Sequence, residues 1–322
     1  MEYRTVQGLS LRASVIGVGT WPLGGPAWVN GRAIGRGAIG FSAACRVVAA
    51  ALDRGVTFFD TAALYGLGRA EDILGRALRR APDAIVATKV GYQVDRRGRL
   101  RQNFSSSWIT RSVDASLRRL RRDCLDILLL HSPPDDFPWQ RFDVGVLEQL
   151  RRHGKIRLYG VSCRSIRGAE RVLQSRFGSV IEVIYNAFDR RARQLFPLVR
   201  RRSIAVIARV PLASGFLTDH MLQDLPRFTA DDVRCQLSEK EVRWRIKSAR
   251  AVRRVGKLRE PLAVTALRFS LSPTEITTVI PGVHSIAQLD ENLVAAQRGP
   301  LSAPVLARIR AAVPRVYPNW LH

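Results

Sequence analysis

Short apolar runs of five to seven residues recur along the whole chain and alternate with longer segments of helical periodicity. Runs of this length are typical of strands buried on both faces, and regular alternation with helices is typical of a parallel α/β sheet. The runs cover residues 15–20, 56–60, 84–89, 125–131, 156–162, 180–186, 204–209 and 276–281. The segments between them predict helices at residues 43–54, 70–80, 107–121, 144–152, 165–174, 187–201 and 239–254. Eight strands with crossover helices in 322 residues match a (β/α)8 TIM barrel, so we expect one α/β domain over residues 1–322.

Four of these runs each end on a different chemically active side chain. The second to fifth runs end on Asp60, Lys89, His131 and Ser162, and Tyr65 follows Asp60 by five residues. The carboxyl ends of parallel strands meet at one rim of a barrel, and this rim holds the active site in such enzymes. We therefore expect these side chains to be neighbours, and their positions indicate an enzyme.

Asp60, Tyr65, Lys89 and His131 suit proton transfer to a carbonyl oxygen. A tyrosine hydroxyl has an unperturbed pKa near ~10, too high for an efficient acid at neutral pH, and a buried lysine cation beside it lowers that pKa. A carboxylate can hold the lysine in place, and a neutral histidine can donate a hydrogen bond to the oxygen on which charge develops. The pattern predicts Tyr65 as the proton donor, and it matches neither a metal site nor an acyl-transfer triad.

The chain carries a formal net charge of +25, from 52 basic and 27 acidic side chains. Such an excess can indicate binding to nucleic acid or to an anionic membrane. The arginine clusters at residues 118–122 and 200–202 contain no aromatic residue that could stack on bases, and both fall in predicted helices. We expect solvated helix faces and no nucleic-acid partner, and a polyanion-binding barrel is kept as an alternative.

The sequence shows neither a membrane span nor a targeting signal. No apolar run approaches the roughly 18 residues that a spanning helix needs, and the first twenty residues have no apolar stretch behind a basic start. Four cysteines lie singly along the chain, without a histidine at metal-ligand spacing. We expect a cytoplasmic protein with reduced thiols, no bound metal and no membrane association.

Several motifs stand in an order that resembles the aldo-keto reductases. They are Asp60-Thr-Ala-x-x-Tyr65-Gly66, Thr88-Lys89-Val-Gly91, Leu-Leu-Leu-His131-Ser-Pro and Gly160-Val-Ser162, within a resemblance that extends from Gly17-x-Gly19-Thr20-Trp21 to Glu291-Asn292. The resemblance implies a (β/α)8 barrel that binds NADPH in an extended conformation and moves a hydride between nicotinamide C4 and a small-molecule carbonyl. It also implies that Tyr65 is the general acid/base, that Lys89 and Asp60 tune it, and that His131 orients the carbonyl.

The resemblance implies cofactor contacts as well, and three of them depart from the family pattern. Ser162 and Cys163 stand for a Ser-Asn pair, and Glu182 stands for a glutamine that binds the nicotinamide carboxamide. Cys163 is a weak hydrogen-bonding group, so we expect its contact to be lost or replaced by water. Arg209 replaces an aromatic residue that stacks on the nicotinamide ring, and its charge would disfavour the oxidised cofactor. The remaining contacts are Gly19, Thr20, Trp21, Pro211, Leu212, Ser214, Gly215, Leu217, Gly282, Ser285, Gln288, Glu291 and Asn292.

The family leads us to expect NADP rather than NAD. This chain nevertheless has Gly282, Ser285 and Gln288 in the segment where many members carry a basic residue for the 2′-phosphate. Two further alternatives stay open: a sugar 1-dehydrogenase that oxidises with the same four groups, and a non-catalytic regulatory protein that binds the cofactor. The sequence names neither the carbonyl nor the oligomeric state. Long loops on the carboxyl face are predicted to build the substrate pocket, at residues 24–40, 91–106 and 216–233.

Overall fold

The structure is a computed structural model in which residues 1–9, 11–223, 226–256 and 259–313 are described. Residues 314–322 of the predicted domain, and residues 224 and 225 of the predicted loop 216–233, lie outside the described part. The strands are β1 (Tyr3–Thr5), β2 (Arg12–Ser14), β3 (Val18–Gly19), β4 (Trp28–Val29), β5 (Arg32–Ala33), β6 (Phe58–Asp60), β7 (Ile85–Val90), β8 (Tyr92–Val94), β9 (Leu100–Gln102), β10 (Leu125–His131), β11 (Ile156–Ser162), β12 (Val180–Ile184), β13 (Ala205–Arg209) and β14 (Thr278–Val279). The helices are α1 (Phe41–Asp53), α2 (Arg69–Ala77), α3 (Ser106–Leu120), α4 (Gly145–Arg152), α5 (Ile166–Gln174), α6 (Phe196–Arg202), α7 (Glu239–Gly256), α8 (Leu262–Leu271), α9 (Ile286–Arg298) and α10 (Ala303–Ala312).

Eight parallel strands form a barrel in the spatial order β3-β6-β7-β10-β11-β12-β13-β14. Bridges from Ile16 to Val279 and from Gly19 to Gly282 join the first strand to the last and close the ring. Each of the eight predicted runs overlaps one of these strands, and the runs at 125–131 and 156–162 have the observed bounds. The predicted (β/α)8 fold is confirmed.

The strand register aligns the carboxyl ends that carry the candidate residues. His131 pairs with Ser162, and Ser162 pairs in turn with Glu182. β11 and β12 can approach this closely because residue 160 is glycine: a Cβ there would lie 1.8 Å from the carbonyl oxygen of Val180. The site residues on β10, β11 and β12 therefore stand side by side at one rim.

Successive strand residues point to opposite faces of the barrel wall. Phe58 belongs to an apolar cluster without helix residues, whereas Phe59 belongs to the larger cluster that packs the strands against the helices. Val6 and Leu9, from the connection between β1 and β2, join the first cluster. The amino-terminal hairpin therefore closes the amino end of the barrel, and the opposite rim is left for the site.

The helix predictions before residue 187 are confirmed as α1 to α5, and the helix predicted at 239–254 is confirmed as α7. The single helix predicted at 187–201 is wrong in its first part, because a 3-10 helix, Arg191–Leu195, precedes α6. Asn186 holds the chain in a turn at this point, since its Oδ1 accepts the backbone N–H groups of Phe188 and Asp189.

α8, α9 and α10 correspond to no predicted helix. α8 is buried at nine of its ten residues, so it lacks the polar face on which a helical period depends. Across the ranges 1–9, 11–223, 226–256 and 259–313, no helix has the length and apolar character needed to cross a membrane.

Candidate active site

The structure brings together the four side chains that the sequence singled out. Asp60 ends β6, Lys89 lies one residue before the end of β7, and His131 ends β10. Tyr65 begins a 3-10 turn after β6, and this turn packs so tightly on the first loop that a Cβ on Gly66 would lie 2.3 Å from the carbonyl oxygen of Gly24. Three rigid strands and one tightly packed turn therefore fix the geometry of this tetrad.

Lys89 is the centre of the tetrad. Its side chain is buried, and Nζ donates hydrogen bonds to both carboxylate oxygens of Asp60 at 2.6 Å and to the carbonyl oxygen of Thr61 at 3.0 Å. Nζ also lies 3.3 Å from Oε2 of Glu182 and 5.0 Å from the centroid of the Tyr65 ring. The ammonium group is thus held by two carboxylates on one side and faces the phenol on the other.

These contacts shift the proton affinities in the tetrad. Burial alone would lower the pKa of Lys89, but Asp60 and Glu182 outweigh burial and raise it. The pKa of Asp60 is raised by burial and by Glu182, against the effect of Lys89. The pKa of Tyr65 is also raised, because burial exceeds the lowering effect of Lys89 and both carboxylates add to it. Lys89 does act on Tyr65 in the expected direction, but burial and the two carboxylates reverse the sign of the net pKa shift.

His131 faces the same space as the phenol. Its ring meets Tyr65 edge-on with centroids 6.0 Å apart, and it meets Tyr92 edge-on at 5.0 Å. Burial, together with the charges of Lys89 and Arg209, holds the pKa of His131 well below its ordinary value. A neutral imidazole follows, and it can donate a hydrogen bond to a carbonyl oxygen between His131 and Tyr65 without bringing a charge.

Beside the tetrad lie the residues assigned to the nicotinamide end. Ser162 Oγ donates a hydrogen bond to Oε1 of Glu182 at 2.9 Å. Oε2 of Glu182 makes no hydrogen bond within the described part of the chain, but it lies 3.3 Å from Nζ of Lys89 and is ion-paired with it. Cys163 is buried, and Sγ makes one long contact of 3.7 Å with the carbonyl oxygen of Val161. The thiol is turned to the backbone and is a poor substitute for an asparagine amide.

The sequence predicted that Arg209 places a positive charge beside the nicotinamide, but in the structure an anion lies close to this cation. Its Nε lies 3.8 Å from Oε1 of Glu182, and its Nη2 donates to the carbonyl oxygen of Cys163 at 3.2 Å. A buried carboxylate therefore compensates much of the guanidinium charge, and the argument that Arg209 alone disfavours oxidised cofactor does not hold.

The first loop anchors Gly19, Thr20 and Trp21 at the rim. Gly19 pairs with Asp60 across β3 and β6, and the hydroxyl of Thr20 donates to the carbonyl oxygen of Asp60 at 2.9 Å. Trp21 Nε1 donates to the carbonyl oxygen of Ile34 at 2.9 Å, which fixes the loop over the barrel mouth.

The loop after β13 has a strained backbone where the pyrophosphate contact was assigned. Ala213, Ser214 and Gly215 all have positive φ, at 51°, 59° and 89°. Two successive non-glycine residues in the left-handed region are costly and occur mostly at functional positions. Pro211 and Leu217 are buried on either side, and Leu212 accepts the backbone N–H groups of both Gly215 and Leu217. Hydrogen bonds within the turn therefore hold it in this strained conformation.

Two arginines from other loops reach this turn. Arg36 and Arg234 both point at the carbonyl oxygen of Ser214, at 3.4 and 3.5 Å, and Asp232 lies between them. Asp232 pairs closely with Arg234, with a shortest distance of 2.6 Å, and lies 3.9 Å from Arg36. Burial and the charge of Arg234 lower the pKa of Arg36 to about 10, so this cation is incompletely compensated. We call Arg36, Asp232 and Arg234 the loop cluster.

The segment assigned to the adenosine end starts at Gly282, next to Gly19, and continues into α9. Ser285 and Gln288 cap this helix: Ser285 Oγ accepts the Gln288 N–H, and Gln288 Oε1 accepts the His284 N–H. Asn292 is buried beside Glu291, and its Nδ2 has no hydrogen-bond partner within the described residues. A buried amide donor of this kind suits an acceptor on a bound ligand.

Sequence reasoning missed Arg36, Asp232, Arg234 and Tyr92. Arg36 lies in a glycine-rich loop, and nearly 200 residues separate it from its partners. Tyr92 lies in the β8–β9 hairpin, at the base of a segment predicted only as a loop. The sequence contains no periodic signal for either contact, because both depend on how loops meet above the rim.

Comparisons with known proteins agree with this geometry. A family model described as the Aldo/keto reductase family matches residues 15–314. The chain is 31% identical to the aldo-keto reductase YhdN of Bacillus subtilis over 238 residues, 73% of this chain and 69% of that protein. It is 33% identical to the NADH-specific methylglyoxal reductase of Escherichia coli over 226 residues, 66% of this chain and 67% of that protein.

Among solved structures, the holo form of aldo-keto reductase AKR11C1 from Bacillus halodurans matches with a TM-score of 0.81 and 27% identity, over 99% of this chain and 98% of that one. The chain therefore belongs to the aldo-keto reductase family, whose members are carbonyl oxidoreductases that use nicotinamide cofactors.

Proposed function

We propose that this protein reduces an aldehyde, ketone or sugar carbonyl of a small molecule with NADPH, and that Tyr65 is the proton donor. The observation that carries the proposal is the position of Lys89, which binds Asp60 at 2.6 Å and faces the Tyr65 ring at 5.0 Å. His131 completes the arrangement, because its neutral ring lies against Tyr65 where a carbonyl oxygen can reach both.

Each member of the tetrad has one task in this mechanism. Bound NADPH supplies the hydride that reaches the carbonyl carbon. His131 donates a hydrogen bond to the carbonyl oxygen and orients it. Tyr65 gives its proton to the same oxygen as the double bond becomes single, so that the carbonyl becomes an alcohol. Lys89, fixed by Asp60 and by the carbonyl oxygen of Thr61, stabilises the phenolate that remains.

The raised pKa of Tyr65 leaves the phenol in the protonated state that carbonyl reduction requires, although it also makes the phenol a weaker acid. A developing alkoxide is a stronger base than a phenolate, so a phenol with a raised pKa stays protonated over the physiological range and still donates favourably. Oxidation of an alcohol would require Tyr65 as phenolate, which burial and the two carboxylates disfavour. We therefore place the sugar 1-dehydrogenase activity second.

The site offers four features that suit a nicotinamide dinucleotide. The carboxylate of Glu182, which lies beside Lys89, can also accept from the carboxamide, and the strained turn at Ser214 and Gly215 is the place assigned to the pyrophosphate. Asn292 can donate to the adenine, and the loop cluster supplies positive charge for the phosphates. The charge of Arg36 and Arg234 suits the phosphates of either cofactor, and NADPH is proposed from the family resemblance; the similar protein from Escherichia coli is named as NADH-specific.

The arginine-rich surface supports a small-molecule partner rather than a polyanion. In the predicted basic clusters, Arg119 and Arg122 pair with Glu71 and Asp126, Arg200 pairs with Glu275, and Arg202 donates to the carbonyl oxygen of Leu173. Four of the seven arginines in these clusters are thus engaged within the protein, whereas Arg118, Arg121 and Arg201 are exposed. Retention on heparin at physiological salt that persists with saturating NADPH would contradict this part of the proposal.

A single-turnover assay tests the function. Protein is mixed with stoichiometric NADPH and a panel of small aldehydes, ketones and sugars, and nicotinamide absorbance and alcohol product are followed together. The proposal expects loss of NADPH matched by alcohol formation with at least one carbonyl. Cofactor binding without hydride transfer to any member of the panel would instead indicate the regulatory alternative. Turnover only with NADP+ and sugars would indicate the dehydrogenase.

A further inference from the structure

The contact assigned to Glu182 with the nicotinamide carboxamide does not by itself explain why an acidic residue is buried at this position. It is 1% exposed and lies on β12 between two cations: Oε2 is 3.3 Å from Nζ of Lys89 on β7, and Oε1 is 3.8 Å from Nε of Arg209 on β13. Ser162 on β11 donates to it, and Asp60 on β6 shares Lys89 with it. A glutamine could accept from Ser162 with its one amide oxygen, but its NH2 group would then face the Lys89 ammonium, so the position between two cations favours an anion.

The presence of Arg209 depends on the same charge. A guanidinium at the end of β13, with 14% of its side chain exposed, is costly to bury without an anion, and the carboxylate of Glu182 provides one. The two residues lie on adjacent strands at the edge of the tetrad, beside Ser162 and Cys163. They form one charge pair, in which each charge lowers the free-energy cost of burying the other.

We propose that the Glu182–Arg209 pair sets the balance between oxidised and reduced nicotinamide, by cancelling the field that either charge alone would impose on the ring. This rests on the proposed function, which puts the nicotinamide beside Ser162 and Glu182. The oxidised ring is cationic and the reduced ring is neutral, so an uncompensated anion favours the oxidised form and an uncompensated cation favours the reduced form. With both charges present, the ratio of the affinities for the oxidised and the reduced cofactor lies between the values that either charge alone would give.

The proposal predicts the direction in which each variant changes the affinity for NADP+ relative to NADPH. E182Q removes the anion and leaves Arg209 uncompensated, so binding of NADP+ weakens relative to NADPH. R209Q removes the cation and leaves Glu182, so binding of NADP+ strengthens relative to NADPH. Each single variant should change the ratio of the two dissociation constants on the order of tenfold, in opposite directions, for charges within several ångströms of the ring at intermediate dielectric. The double variant E182Q/R209Q should return the ratio to within about threefold of the wild type.

The experiment is a titration of NADP+ and NADPH into the wild type, both single variants and the double variant, with protein fluorescence as the readout. Glu239 and Arg243 form an exposed ion pair on α7, so E239Q/R243Q is a matched control that should leave the ratio unchanged. Thermal unfolding of each variant verifies that it is folded, and R209Q alone still tests the sign if E182Q is unstable.

Opposite shifts in the two single variants support the proposal. Shifts of the same sign, or an unchanged ratio in R209Q with intact binding, would overturn it and leave the pair a structural role. A wild type that binds neither cofactor would refute the proposed function itself, a different result from bound cofactor with an insensitive ratio.

Discussion

The tetrad and the loop cluster hold their charges in different ways. Lys89 and Asp60 extend from adjacent strands, are almost fully buried, and are linked by two bonds of 2.6 Å. Arg36, Asp232 and Arg234 come from loops, and the contacts that the two arginines make with Ser214 are 3.4 and 3.5 Å long. The barrel wall thus fixes the groups that move protons. The loops carry charge that is incompletely paired in the protein and available to a ligand.

The largest difference between the two regions is expected in stability. K89M leaves the carboxylate of Asp60 buried without its cation and leaves Glu182 with Arg209 alone, so we expect a loss of about 3–5 kcal/mol in the free energy of unfolding. Denaturant unfolding measures it, with K155M as control, because Lys155 pairs with Asp114 at the surface and its loss should cost less than about 1 kcal/mol. Equal losses in both variants would mean that the Lys89 pair is not the rigid centre described above.

The second prediction concerns cofactor affinity and sharpens the role of the loop cluster. In the proposed cofactor site, R36Q removes a charge-assisted contact to a phosphate, so we expect NADPH to bind at least about tenfold more weakly while stability stays near that of the wild type. Parallel titrations with NADH identify the phosphate: loss with NADPH alone indicates the 2′-phosphate, and equal loss with both indicates the pyrophosphate. R243Q, on the exposed face of α7, is the control. Unchanged affinity for both cofactors would remove Arg36 from the cofactor site.

The smallest expected effect is a shift in pH dependence, which links Glu182 to the tetrad. Glu182 contributes to the raised pKa of Tyr65, so E182Q should lower that pKa. Alcohol oxidation requires the phenolate, whose fraction rises with pH, and its onset should therefore move to lower pH in E182Q. The basic limb of carbonyl reduction, which requires the phenol, should move in the same direction. The measurement is the pH profile of kcat in both directions, and an unshifted profile would separate Glu182 from the proton donor.

The sequence was sufficient to predict the barrel and the positions of the tetrad, because both depend on local patterns. Short apolar runs specify strands, and the last residue of each run specifies what stands at the rim: Asp60, Lys89 and His131 follow directly from this rule. The position of Tyr65 near the rim was predicted because it lies only five residues after Asp60 in the sequence. None of these positions requires knowledge of how distant loops meet.

Prediction failed where the answer depends on contacts across the structure. The compensation of Arg209 by Glu182 requires the register of β12 against β13, and the approach of Arg36 to Ser214 requires two loops to meet. α8 was not predicted because it is buried on almost all sides and therefore has no amphipathic pattern. The direction of the pKa shift at Tyr65 is a balance of burial against three charges, and a motif gives only the charges.

The most direct test of the central claim is single-turnover hydride transfer in Y65F with NADPH and a carbonyl that the wild type reduces. In the proposed mechanism Tyr65 supplies the proton, so we expect the rate to fall on the order of 10² or more while the dissociation constant of NADPH is nearly unchanged. Tyr159, whose hydroxyl donates to Glu148 away from the rim, provides the control variant Y159F with wild-type rates. A Y65F protein that transfers hydride at a rate comparable to the wild type would contradict the account.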